Sequence, residues 1–128
     1  APEACVVEAA ARRTSAREDE VPTDTAIKCT EINASIGRLL KLQREVTGPG
    51  GLEVRTTKYP LGYGVHGINV GAGPRGGGVL YVKLYSYKSQ SSHKPKFVLR
   101  EGRDRWYEAF KEEILALWRD GAVQTPVQ

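Results

Sequence analysis

Three sets of side chains in this chain are of types suited to chemistry. The first is Tyr81, Lys83, Tyr85 and Tyr87, within the run VLYVKLYSYK over residues 79–88. They alternate with Leu80, Val82 and Leu84, and successive side chains of extended backbone point to opposite faces, so the rings and the ammonium share one face. Such a row is suited to stacking bases or sugars and to screening phosphate. The competing reading is a solvated sheet face, because tyrosine favours strands in its own right.

The second set is the two histidines, His66 and His93, which border the strand-like runs. With Lys94 or Lys96, Arg55 and a carboxylate such as Glu53 or Glu101, they supply the acid, base and cation that metal-independent RNA cleavage requires. No motif fixes their spacing, and they read equally as ordinary loop residues. The third set is the tract GAGPRGGG at 71–78, five glycines around Arg75. Gly71, Gly73 and Gly76 match G-x-G-x-x-G, but a dinucleotide site needs that motif to lead into a helix, and here a strand follows. A glycine loop between strands covers phosphates in protein kinases, yet this chain is far too short for one and lacks H-R-D and D-F-G. Two readings remain: a nest of backbone N–H groups that holds an anion beside Arg75, or a connection in which glycine relieves steric conflict.

Other chemistries find no support. There is no H-E-x-x-H, Walker, EF-hand or G-x-S-x-G pattern, and no C-x-x-C, so neither metal nor cofactor is expected. The two cysteines, Cys5 and Cys29, fit a disulfide that closes a loop of about 25 residues and stabilises by about 3 kcal/mol. That bridge belongs with export, as does a chain that starts at Ala1 and contains no methionine. The alternative is a cytoplasmic protein trimmed of its initiator residue and holding two thiols. The sequon Asn33-Ala34-Ser35 falls in a helical run and reads as coincidence.

With 128 residues, 40% hydrophobic and 27% charged, the chain is sized for one folded domain. No apolar run approaches the roughly 18 residues of a membrane span. The net charge of +4 is polarised. Residues 1–51 hold 7 Lys/Arg against 8 Asp/Glu, whereas residues 52–128 hold 12 against 7. A basic half favours anionic partners such as nucleic acid, glycans or lipid headgroups.

Periodicity supplies the scaffold. Residues 3–13 are Ala-rich and helical, and 14–24 form a charged connection. Apolar residues from Ile27 to Val46 recur at nearly helical spacing, which predicts a second helix over 25–46 capped by Thr23 or Asp24. A bridge from Cys5 to Cys29 would staple the two helices of this 1–46 hairpin. TGPGG at 47–51 ends it. Period-two runs at 52–59, 65–70, 79–88 and 96–101 predict an antiparallel sheet of three or four strands over 52–101. A final helix is expected at 103–121, with Asp104 as N-cap and Gly121 after its end. It places Trp106, Phe110, Ile114 and Leu117 on one face, with Tyr107, Leu115 and Trp118 spilling beyond. Either Trp118 or Tyr107 is then exposed as an interface residue, or Trp118 tucks against the N-terminal hairpin. The tail from 122 is expected to fray.

These elements imply a two-layer α+β domain, with the aliphatic face of 79–88 on the last helix and its tyrosine face either open or covered by the hairpin. The function expected is binding rather than catalysis. The partner is a polyanion (RNA, DNA or an anionic glycan) or a target protein. Tyr81, Lys83, Tyr85, Tyr87, Arg75, Arg55, Lys94 and Lys96 would engage it. One alternative is a small secreted ribonuclease or toxin that uses His66 and His93. Another is an enzyme inhibitor that inserts the 71–78 loop into a partner's cleft.

Overall fold

A computed structural model describes residues 18–72, 76–85 and 94–125. The expected α+β class is what it shows: among the described residues there are two α-helices and five strands in two antiparallel sheets. The chain divides into two compact units, one of residues 1–60 with 120–128 and one of residues 61–119. Neither described helix is long and apolar enough to cross a membrane. The expected helix at 3–13 and the Cys5–Cys29 bridge fall outside the described residues, since Cys5 does.

In the first unit a 3-10 turn, Glu18–Glu20, leads into helix α1, Val21–Glu45. The helix starts earlier than Thr23 or Asp24 would set it. Pro22 sits in its first turn, where a locked helical φ helps and the missing N–H has no intrahelical partner to lose. Asp24 then adds negative charge beside the exposed N–H groups of that turn. At the other end the Val46 N–H closes on the Leu42 carbonyl at 3.0 Å, and Gly48 takes a positive φ of 111° as the chain leaves. The Gln43 side-chain amide donates to the Leu52 carbonyl at 2.7 Å, which fastens the last turns of α1 to the segment before strand β1, Val54–Thr56.

Strand β1 departs from expectation. Only three residues of 52–59 are extended, and they do not join the main sheet. Their partner is the tail, which forms a strand of its own at Ala122–Gln124. Val54 opposes Gln124, Arg55 opposes Val123, and Thr56 opposes Ala122. The Gln124 side chain donates to Thr56 Oγ1 at 3.2 Å across this ladder, and Val54 is buried. A three-residue strand carries too little periodicity to announce itself, and its pairing is decided by a partner 68 residues away.

The second unit carries the sheet. Strands β2, Tyr63–Ile68, β3, Val79–Leu84, and β4, Lys96–Arg100, run antiparallel in that spatial order, with β3 central. Helix α2, Tyr107–Asp120, packs on one face; the tail strand that follows it is β5. The core is small and well defined. Leu80 is 0% exposed and Val82 2%, joined by buried Leu99 and Tyr107. Around them pack Tyr63, Val65, Phe97, Phe110 and Ile114. Phe110 meets Tyr63 and Phe97 edge-on, with centroids 5.1 and 5.9 Å apart, the geometry aromatic rings prefer.

Helix α2 begins three residues after its expected cap. The Asp104 carboxylate does not cap it; instead it accepts from the Arg100 N–H at 2.7 Å and closes the turn around Gly102, whose φ is 75°. Starting at Tyr107 shifts the buried stripe to Tyr107, Phe110 and Ile114. Trp106, expected inside, is left 57% exposed, and Trp118 is exposed too.

Tyr107 is packed to the limit against Gly78. A Cβ at position 78 would overlap the Tyr107 hydroxyl and lie 2.8 Å from its Cζ. The Gly78 N–H donates to Glu101 Oε2 at 3.0 Å while the Glu101 N–H donates back to the Gly78 carbonyl at 2.9 Å. The Tyr107 hydroxyl is buried without a hydrogen-bond partner among the described residues. Burial, reinforced by the Glu101 charge, raises its pKa above the ordinary tyrosine value, while Lys111, 5.9 Å from the ring centroid, acts in the opposite sense.

The Gly78–Tyr107 contact sets what substitution and pH are expected to do. Gly78→Ala lowers stability by about 1–3 kcal/mol through overpacking, and chemical denaturation of the double variant with Tyr107→Phe shows a smaller loss than the sum of the singles. Tyr107→Phe alone raises stability by about 1 kcal/mol, because an unpaired buried hydroxyl is removed. A raised folded pKa stabilises below the unfolded value and is lost as pH climbs through the folded one. Wild type therefore loses more stability than Tyr107→Phe above about pH 10, as Tm measured against pH will read.

Candidate functional site

Because β3 buries Leu80 and Val82, its odd-numbered residues must face away from α2. The register then places the neighbours. Gly64, Lys83 and Lys96 form one cross-strand row; His66, Tyr81 and Val98 form the next; Ile68, Val79 and Arg100 form the third. Tyr81 is 44% exposed, and His66, Val98, Lys83, Lys96 and Arg100 are exposed as well. A shallow groove of about 650 Å³ runs over this face, lined by His66, Tyr81, Lys83, Tyr85, Lys96 and Val98 among others.

Tyr85 continues the pattern one step past the strand. Its N–H donates to the Gly62 carbonyl at 2.9 Å, which extends the β2–β3 ladder. Its ring leans back over β2, so that a Cβ on Gly64 would meet the phenol Oη at 2.7 Å and Cζ at 3.4 Å. Glycine at 64 therefore provides the seat for the tip of this ring, which stays 42% exposed. The Lys94 ammonium lies 5.5 Å from its centroid, a cation–π contact.

The electrostatics of the face are one-sided. Lys83 and Lys96 stand directly opposite each other, Arg100 lies two residues along β4 from Val98, and Lys94 sits beside Tyr85. No acidic residue occupies any of the three rows. Like charges directly opposite across a ladder repel. The nearest carboxylates in sequence are otherwise engaged, Glu101 by the Gly78 N–H and Asp104 by the Arg100 N–H.

Of the residues singled out in the sequence, the fold brings Tyr81, Lys83, Tyr85, Lys96 and His66 onto one face, with Lys94 at its end. Arg55 belongs to β1 of the first unit, where it is ion-paired with Glu53. Arg75, Tyr87 and His93 lie outside the described residues, so the histidine pair and the glycine nest do too. Three contributors escaped sequence reasoning. Arg100 and Val98 share the parity of Lys96 and were open to discovery from the alternation of 96–100. Gly64 was not, because its meaning depends on where Tyr85 leans. Among the described residues no three His, Cys, Asp or Glu side chains cluster as metal ligands.

The second unit is thus a two-layer α+β body whose sheet face opposite α2 is basic and aromatic. Comparison with family models, with curated proteins and with solved structures finds no match to the chain.

Replacing one lysine of the facing pair by an acid should relieve the repulsion. Lys96→Glu is expected to gain about 0.2–1 kcal/mol, read as a raised denaturation midpoint with an unchanged slope.

Proposed function

We propose that this protein binds an anionic polymer through the outer face of the β2–β3–β4 sheet. The observation that carries this reading is the directly opposed pair Lys83 and Lys96 in three cross-strand rows that contain no acidic side chain. Juxtaposed like charges cost stability in the free protein, and an anion laid between them removes that cost. Lys94 and Arg100 extend the positive field along the face, and the excess of basic residues after position 52 has the same sign. Export and a Cys5–Cys29 bridge accompany this proposal as expectations from the sequence.

The test is affinity for an anionic polymer across a salt series. If the four cations each meet one anionic group on a single-stranded polymer, log K should fall with log salt at a slope of about −3. Lys83→Gln combined with Lys96→Gln should halve that slope. A salt-independent affinity, or a double variant that binds like wild type, would overturn the reading. His66 lies in the groove, so the same samples are checked for strand cleavage, with His66→Ala as the control.

A further inference from the structure

Resting on the polyanion reading, we infer that the ligand is a single-stranded nucleic acid whose bases stack on Tyr81 and Tyr85. The alternation of rows carries this beyond charge alone. Along the face the order is Arg100, then Tyr81 with His66 and Val98, then Lys83 with Lys96, then Tyr85 with Lys94. Each exposed ring has a cation in the adjacent row or beside it. That is the repeat of a nucleic acid strand, which offers a flat base and a phosphate in every unit.

Other polyanions use only half of these features. A sulfated glycan has charge but no aromatic base, and its sulfates keep its puckered rings hydrated, so it would engage the lysines and gain less from two phenol rings. A duplex keeps its base faces stacked inside, and a flat sheet offers no wedge to open them. A single strand uses both the rings and the cations.

Tyr85 is prepared for this role. Its tip rests on Gly64 and its N–H is fixed to Gly62, so the ring is held in place before any ligand arrives. Less side-chain freedom is then lost when a base settles on it. Besides Arg100, His66 and the tyrosine hydroxyls, the face contains few directional hydrogen-bonding groups. Stacking accepts every base, so the site is expected to discriminate little among sequences.

The experiment uses the intact chain at low salt with three probes: a short fluorescent oligothymidylate, a hairpin duplex of matched charge, and a heparin fragment. The expected result is that the single strand binds at least about fivefold more tightly than the duplex. Tyr81→Leu and Tyr85→Leu should each weaken single-strand binding by at least about fivefold while heparin binding and the salt slope hold. Tyr81→Phe, which keeps the ring, should bind like wild type, and this separates stacking from disruption of the fold. If all three probes bind equally per charge and the leucine variants match wild type, the stacking inference is overturned while the polyanion reading stands. If none of the probes binds at low salt, the polyanion reading falls and this inference falls with it.

Discussion

The burial of Leu80 and Val82 against Tyr107, Phe110 and Ile114 is the contact on which the rest of the second unit depends. β3 is the central strand and is paired on both sides, so its orientation fixes that of β2 and β4 through the register. Removing two large aliphatic side chains from water contributes about 3–6 kcal/mol by area, a substantial share of what holds a small domain together. Once that face is committed inward, Tyr81 and Lys83 are carried onto the opposite one, where both are exposed. The candidate site is therefore a by-product of the core: the same alternation that hides one set of side chains displays the other.

How much of this the sequence showed can be judged from particular segments. β3, β4 and α2 were legible because each carries several periods of its pattern: VLYVKL alternates strictly, and the helix repeats apolar residues at three and four. The tyrosine face followed directly. The start of α2 was misplaced because the Asp104 carboxylate accepts from the Arg100 N–H instead of capping the helix. With the helix starting at Tyr107, Trp106 lies outside it and Tyr107 takes the place in the core expected for Trp106. β1 and β5 were illegible for a different reason. Each is three residues long, and what makes them strands is their pairing with each other, which local pattern does not encode.

Glycine illustrates the boundary between the two kinds of information. The glycines of the PLGYG segment resemble an interruption, yet β2 begins at Tyr63 and runs straight through Gly64. The residue is small because Tyr85 occupies the space above it, and Gly78 is small because Tyr107 does. In both places a tyrosine twenty or more residues away decides the side-chain volume allowed. Neither requirement is one of backbone freedom, since neither glycine has a positive φ.

The β1–β5 ladder has a consequence for how the chain is wired. Thr56 and Ala122 are cross-strand neighbours, so two stretches of the first unit that are distant in sequence are held about 5 Å apart. Residues 61–119 form the second unit and fall in sequence between the two stretches of the first. During synthesis the inserted body has all its own strands and its helix before the tail emerges to complete the unit that hosts it. The basic, tyrosine-bearing sheet thus comes from a continuous stretch of chain, and the first unit is the discontinuous one, its two stretches joined by the β1–β5 ladder.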